Sequence, residues 1–295
     1  MLLKAFIKPN FIAFYKDENK YLLLNEQFKK DKTIFSENKE FENKKDLIKY
    51  ISEIQDDNPQ TYISTFITSQ NQGVINTCNK QKYKEAGIEV DNIKILCIKN
   101  KYSFYTTLYE IMKIKKEFNF IDLLYSAYAL IDYKSTLRHN SMYLLIINDY
   151  LFILIYNNHT PVYGDIIYLI ENIEEDFQQN EEIEDISNID LEENLDETIN
   201  ENIDEEIENI DEETVKESTN IEHLDKEYKI LNNIKTALKE YYENGNDFIE
   251  KIFIFDTINL KNDIVNMIND ELFIESNLTK IDLLKLLNEI SRKNV

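Results

Sequence analysis

Between Met142 and Ile170, in MYLLIINDYLFILIYNNHTPVYGDIIYLI, three β-type apolar runs follow one another with short polar breaks. Met142 to Ile147 ends at Asn148-Asp149, Tyr150 to Tyr156 ends at Asn157-Asn158-His159-Thr160-Pro161, and Val162 to Ile170 closes the set. Runs of β-branched and aromatic residues bounded by turn formers predict three strands. Further on, Tyr228, Leu231, Ile234, Leu238 and Tyr241 predict a helix over Leu224 to Tyr242, which Asn244-Gly245-Asn246 stops. A strand over Ile249 to Phe255, a helix over Leu260 to Leu272, a short strand over Phe273 to Ser276 and a helix over Lys280 to Ile290 complete this half.

The N-terminal half begins with three predicted strands: Leu3 to Lys8, Asn10 to Tyr15 and Tyr21 to Leu24. A polar link leads to Lys44–Ile54, where Leu47, Ile48, Ile51 and Ile54 fall on one helical face. Strands follow at Thr61 to Thr68 and Ile93 to Ile98, with a loop and a short helix around Lys80 to Ala86 between them. Helical spacing then covers Phe104 to Phe118, through Leu108, Ile111 and Met112, and Phe120 to Tyr133, through Leu124, Tyr128 and Ile131.

A chain of 295 residues suits two domains. The formal charge of −23 is localised: Glu171 to Glu217 holds 22 acidic residues against one basic, Lys216, leaving 34 against 32 elsewhere. Without a basic face, nucleic acid is not expected as a partner. The acidic stretch repeats as ENLDETI, ENIDEEI and ENIDEET, with apolar positions at Leu191, Leu195, Ile199, Ile203, Ile207 and Ile210. Two readings stay open: a disordered linker, because so little apolar surface cannot offset ordering entropy and self-repulsion, and an acidic amphipathic helix that folds on a basic partner. Cys78 and Cys97 form no CxxC pair, and the expectation is two reduced thiols in a cytoplasmic protein, with neither zinc nor a disulfide. Lys4, Lys8 and Pro9 stand where a signal peptide would be apolar, and Asn148-Asp149 interrupts the longest apolar stretch before it could span a bilayer.

As element types, the second half reads β-β-β, helix, strand, helix, strand, helix, and the first half begins in the same way. This duplicated order resembles the actin-like, ribonuclease-H-type fold. The expected class is α/β, with two actin-like lobes of mixed sheet plus helices: 1–138, then 139–170 with 221–295, and the acidic insertion 171–220, expected to be disordered, inside the second. Within that superfamily, YLLIINDYLFILIYNNHTPVYGDIIYLI followed by EKIFIFDTINLKNDIVNMINDEL is similar to the type IV pilus assembly protein PilM and the cytoplasmic domain of its type II secretion counterpart GspL. The resemblance implies a cytoplasmic scaffold, peripheral to the inner membrane, that binds a bitopic partner of PilN type and could self-associate into a ring or cage. The machine would be a type IV pilus, a type II secretion or competence system, or a flagellar motor using pilus-like scaffold proteins.

Active members of the fold cradle phosphate with glycine-containing hairpins, whose backbone N–H groups approach the anion closely. This chain has four glycines, Gly73, Gly87, Gly164 and Gly245. None lies at Asn148-Asp149-Tyr150, at Lys8-Pro9-Asn10, read as the first-half equivalent, or at Asp256-Thr257-Ile258-Asn259, read as the adenosine-side loop. A pseudo-ATPase is therefore expected, with no catalytic residue, cofactor or metal; the alternatives are an ATP-hydrolysing actin-like enzyme and an adaptor acting through its acidic segment. Asp149 and Asp256 could hold Mg²⁺ across a cleft, although their Asn/Asp-rich settings fit turns better. His139 and His159 read as turn residues, and Ser64, Ser141 and Ser218 lack a nucleophile's context. Tyr102, Phe104 and Tyr105 form the densest aromatic cluster near a polar boundary and are weighed as a partner contact against burial. Circular dichroism of a 171–217 peptide is expected to show coil; helix gained on adding a basic protein would establish the amphipathic reading instead.

Overall fold

The computed structural model describes residues 8–17, 19–29, 32–169, 212–244 and 247–295, the side chains of 212–224 excepted. The strand expected over Leu3 to Lys8, apart from Lys8 itself, and the acidic residues 171–211 lie outside the described residues.

The chain runs β1 (Asn10–Asp17), β2 (Lys20–Lys29), β3 (Lys32–Phe41), α1 (Lys44–Asp57) and β4 (Thr61–Ile67). It continues through β5 (Gln72–Ile75), α2 (Lys80–Glu85), β6 (Ile93–Ile98), β7 (Tyr102–Thr107), α3 (Leu108–Glu117), β8 (Leu123–Ser126) and α4 (Ala127–Lys134). The second half has β9 (Ser141–Ile147), β10 (Tyr150–Asn157), β11 (Thr160–Tyr168), α5 (Glu212–Glu243), β12 (Lys251–Asp256), α6 (Asp263–Leu272), β13 (Glu275–Lys280) and α7 (Leu283–Asn294).

Two five-stranded sheets share one topology. The first is ordered β3-β2-β1-β4-β8 and the second β11-β10-β9-β12-β13. In each, the first three strands form an antiparallel meander and the last two join parallel to the first strand. A three-stranded sheet, β5-β7-β6, is inserted in the first lobe.

Alternation along the strands assigns each sheet two buried faces. Ile12, Phe14, Leu23 and Ile63 pack with Leu47 and Ile51 of α1 on one face of the first sheet. Met142, Leu144, Ile146, Leu151, Ile153, Ile252 and Ile254 pack with Ile234 and Leu238 of α5 and Ile264 and Ile268 of α6 on one face of the second. The remaining faces meet in a central cluster: Ala13, Leu24 and Phe66 from the first sheet, and Tyr143, Leu145, Phe152, Leu154 and Phe255 from the second. Tyr128, Leu130 and Ile131 of α4 and Leu284, Leu287 and Ile290 of α7 belong to the same cluster. Helix α7 follows the second sheet in sequence but lies on β1, β2 and β4 of the first, while α4 lies on β9 and β10 of the second. Asn288 of α7, fully buried, donates from Nδ2 to Glu26 Oε2 at 2.9 Å and to the Leu24 carbonyl at 3.4 Å.

Several elements differ from expectation. β3, taken for a polar link, is an edge strand with largely exposed side chains, so burial leaves no alternation in its sequence. The three N-terminal strands are therefore displaced by one, and the first hairpin turn is at Asp17–Lys20 rather than Lys8-Pro9-Asn10. The helices expected from Phe104 and Phe120 each begin with a strand, β7 and β8; Thr107 and Ser126 then cap α3 and α4 by accepting from Glu110 N and Tyr128 N. β5 falls in the stretch read as loop. β13 starts beyond Phe273, which takes a left-handed φ of 56° at the end of α6. α5 begins at Glu212, twelve residues before the expected Leu224.

The cysteines differ as well. Cys78 and Cys97 form a disulfide, not two free thiols. Cys97 lies on edge strand β6 and Cys78 in the loop before α2, with Cα atoms 5.6 Å apart. Their proximity is tertiary, and a separation of 19 residues carries no local sign of it.

Leu287 is fully buried where α7 meets the first sheet. Leu287→Ala is expected to cost about 2–5 kcal/mol by transfer and cavity terms. Urea unfolding of the full chain measures the loss; a change below about 1 kcal/mol would show that α7 does not hold the first sheet.

Candidate functional site

The parallel strands of the first sheet, β1 and β4, end at a crevice between the lobes, the usual place for a ligand in an open α/β sheet. Its cavity of about 500 Å³ is lined by Phe14–Lys16 at the end of β1, Tyr21, Thr65–Ser69 at and just beyond the end of β4, and one side of α3. The second lobe contributes Ile147, Asn148, Asp149, Tyr150 and Tyr168. The hairpin turn between β9 and β10 thus stands at the cavity wall.

The wall combines aromatic rings with charges of both signs, Lys16 and Lys113 as well as Glu110, Glu117 and Asp149. Burial, followed by the charges of Asp17 and Asp282, pushes the Tyr15 hydroxyl up to about 12. Glu110 is the one buried side chain of α3 and accepts from Asn71 Nδ2 at 2.9 Å. Leu108, Tyr109 and Met112 of the same helix are exposed. Asp149 Oδ1 is 3.0 Å from Lys226 Nζ of α5, both side chains being 23% exposed, so its charge is countered from inside the protein. The turn geometry is met by Asn148 at φ 52°, a left-handed value that Asn tolerates.

Asp256 does not line this cavity. It is 1% exposed, and its carboxylate accepts from Ile258 N at 2.8 Å and Leu260 N at 2.9 Å, closing the turn after β12. The turn reading of Asp256 therefore holds, and the pairing of Asp149 with Asp256 across Mg²⁺ does not. Among the described residues no group of three or more His, Cys, Asp or Glu is placed to hold a metal ion. His139 and His159 have ring centroids 5.6 Å apart, with His139 Nδ1 3.3 Å from Glu250 Oε1 at an exposed position. His159 and Asn158 are the left-handed residues of the β10–β11 turn. Ser64 and Ser141 are fully buried and donate to the carbonyls of Ile12 and Leu137. Ser218 lies outside the residues whose side chains are described.

The aromatic trio is split. Tyr102 and Phe104 are buried, and Phe104 belongs to the central core with its ring 6.3 Å from that of Tyr128. Tyr105 is half-buried over Gly73, where an added Cβ would stand 2.5 Å from its hydroxyl. Tyr102 also enters a buried cluster that its sequence did not reveal. The Tyr102 and Tyr156 hydroxyls donate to Asp132 Oδ1 at 2.7 and 2.6 Å, and Arg138 Nη2 is 3.3 Å from the same oxygen. Burial raises the pKa of both tyrosines, and the Asp132 carboxylate adds to the effect. This cluster joins the inserted sheet, α4 and the second sheet. Gly164 of β11 permits a further contact there: a Cβ at that position would lie 2.8 Å from Val74 Cγ1 of β5.

A pair of lobes with identical 3-2-1-4-5 sheets around a crevice defines an actin-like protein. By sequence the chain belongs to the family described as "Domain of unknown function (DUF8341)", whose model matches residues 142–295; residues 7–132 match "Domain of unknown function (DUF8569)". No curated protein matches it. A Bacteroides thetaiotaomicron protein with actin-like ATPase fold and unknown function aligns over 100% of this chain and 99% of its own, at TM-score 0.50 and 9% identity. The fold likeness rests on that alignment. The PilM–PilN type IV pilus biogenesis complex aligns over 95% of this chain and 90% of the other, with TM-score 0.48 and 7% identity. The cytoplasmic domain of EpsL, an inner-membrane component of the Vibrio cholerae type II secretion system, covers 54% of this chain and 71% of its own, with TM-score 0.34 and 9% identity. Among the described residues no helix is long and apolar enough to cross a membrane.

Asp132→Ala is expected to destabilise the chain by about 3–5 kcal/mol, because it strands the Arg138 charge and two buried hydroxyls. Tyr102→Phe removes one donor to the carboxylate and should cost about 1.5–3 kcal/mol, both read from urea unfolding. Alkaline pH tests the tyrosines: a hydroxyl held above its unfolded value of about 10 favours folding fully below that pH and loses the contribution as pH rises toward the folded value. With Tyr15 and Tyr50 both pushed up to about 12, the urea midpoint should be insensitive to these groups up to about pH 9 and fall between about pH 10 and 12.

Proposed function

We propose that this chain is a non-enzymatic cytoplasmic scaffold of an inner-membrane-anchored machine, holding the cytoplasmic tail of a bitopic protein of PilN type. The machine is a type IV pilus, a type II secretion or competence system, or a flagellar motor built with pilus-like scaffold proteins. The observation that carries the non-enzymatic part is the chemistry of the two hairpin turns where this fold cradles phosphate. The β9–β10 turn presents Asn148 and Asp149, and the β1–β2 turn begins with Asp17; neither contains a glycine. A side chain in place of glycine keeps backbone N–H groups away from the anion. The scaffold and its partner rest on the resemblance of residues 143–170 and 250–272, and of the duplicated order of elements, to PilM and GspL.

Isothermal titration with Mg-ATP is expected to give no binding in the micromolar range. Micromolar affinity, or hydrolysis above the buffer blank, would overturn the non-enzymatic reading in favour of an actin-like ATPase. Co-purification with the cytoplasmic tails of bitopic proteins encoded beside this chain tests the partner. If no such tail is retained and no such gene is a neighbour, the scaffold reading falls.

A further inference from the structure

Helix α3 buries one side chain, a carboxylate, and turns apolar residues outward. Glu110 is the buried one, with Ile111 and Ile114 half-buried beside it, while Leu108, Tyr109 and Met112 are 37%, 69% and 69% exposed. With about 3.6 residues per turn, Leu108, Met112 and Tyr109 share the side opposite Glu110, and Lys115 and Lys113 flank them. Lys116 lies further along that side, and all three lysines are exposed. Glu117, at the end of the helix, is 3.6 Å from Lys44. None of Lys113, Lys115 and Lys116 belongs to an ion pair among the described residues. An apolar stripe edged with cations suits an occupant that is apolar and acidic.

The chain itself carries a segment of that description. In the acidic stretch, Leu191, Leu195, Ile199, Ile203, Ile207 and Ile210 recur every three or four residues, and carboxylates predominate between them. That spacing gathers apolar side chains on one face of a helix. Both ends of the stretch are held at the crevice that α3 lines. At its start, Leu169 N donates to the Asp149 carbonyl at 2.6 Å, and Tyr168 lines the cavity. Beyond its far end, Lys226 of α5 reaches the Asp149 carboxylate at 3.0 Å. Helix α3 contributes Lys113, Ile114 and Glu117 to the same cavity. The chain from Leu169 to Leu191 can extend over roughly 70 Å, many times the width of a cavity of about 500 Å³. The repeats therefore reach α3 easily.

We propose that the exposed face of α3 is a docking surface for the chain's own acidic repeats, which lay Leu195, Ile199, Ile203 and Ile207 over Leu108, Tyr109 and Met112. Their carboxylates then stand beside Lys113, Lys115 and Lys116, which offsets the self-repulsion that opposes order in so acidic a sequence. An outside protein of the same pattern competes at a disadvantage, because a tethered segment is present at an effective concentration of about millimolar. The docking depends neither on what the crevice binds nor on the scaffold role. It makes two surfaces available together: a basic partner that takes the acidic segment uncovers Leu108, Tyr109 and Met112.

The chain has no tryptophan, so Tyr109→Trp places a single reporter on this face. Acrylamide quenching of its fluorescence in the full chain measures how far the face is covered. Adding Leu195→Ser, Ile199→Ser, Ile203→Ser and Ile207→Ser, none of them in a described element, is expected to raise the quenching constant about twofold or more. Lys113→Glu with Lys115→Glu and Lys116→Glu should raise it as well, whereas Lys80→Glu with Lys82→Glu and Lys84→Glu, a charge-matched control on α2, should not. Far-UV circular dichroism verifies that each variant is folded. The proposal is overturned if the serine variant is quenched as the parent is. Equal and ready quenching would show a bare face; equal shielding would show another occupant, a second copy of the chain if the shielding grows with protein concentration and a different segment if it does not. It is overturned equally if the α3 charge reversal has no effect, or no more than the α2 control.

Discussion

Each lobe is finished by a helix from elsewhere in the chain. α7 leaves the second sheet and buries Leu284, Leu287 and Ile290 against Ala13, Leu24 and Phe66 of the first, while α4 leaves the first and covers β9 and β10 of the second. Without this exchange each sheet would have one apolar face open to water. Burying a single such side chain is worth about 1.5–3 kcal/mol, so the cluster ties the lobes together far more strongly than a few surface ion pairs could. The crevice is a consequence: two sheets held back to back through α4 and α7 part at the end where the β9–β10 turn faces α3.

The polar groups inside this core follow the same logic. Asn288 binds Glu26 from a fully buried position, and Asp132 gathers two tyrosines and an arginine where three parts of the chain meet. The groups around Asp132 tolerate one arrangement only, because any slip leaves a charge or a hydroxyl unpaired in a medium of low polarity. They fix the register that apolar packing alone would leave adjustable.

What the sequence disclosed depended on burial. Strands covered on both faces, such as β9 and β12, stand out as nearly continuous apolar text, and the duplicated order of elements was legible from them. β3 was not, because an exposed edge strand of lysine, glutamate and asparagine has the same composition as a loop. Losing it displaced the first hairpin turn, although the turn at Asp17–Lys20 lacks glycine just as the misplaced one did. β7 and β8 were absorbed into the helices that follow them, where Thr107 and Ser126 were the available signals. In the crevice, Asp149 was found and its partner Lys226 was not, since 77 residues separate them. Tyr102, weighed as a partner contact against burial, is buried and belongs to a network with Asp132 and Tyr156.

The placement of α7 also bears on how the chain is made. A ribosome delivers β1, β2 and β4 long before α7, so the Ala13, Leu24 and Phe66 face of the first sheet waits, uncovered, until residues 283–294 emerge. Contacts that close only across nearly the full length of a chain form slowly and leave apolar strands exposed in the meantime. Loss of α7 therefore damages the first lobe, from which it is remote in sequence, and a nascent chain stalled before Leu283 presents a sticky half-sheet to whatever is nearby.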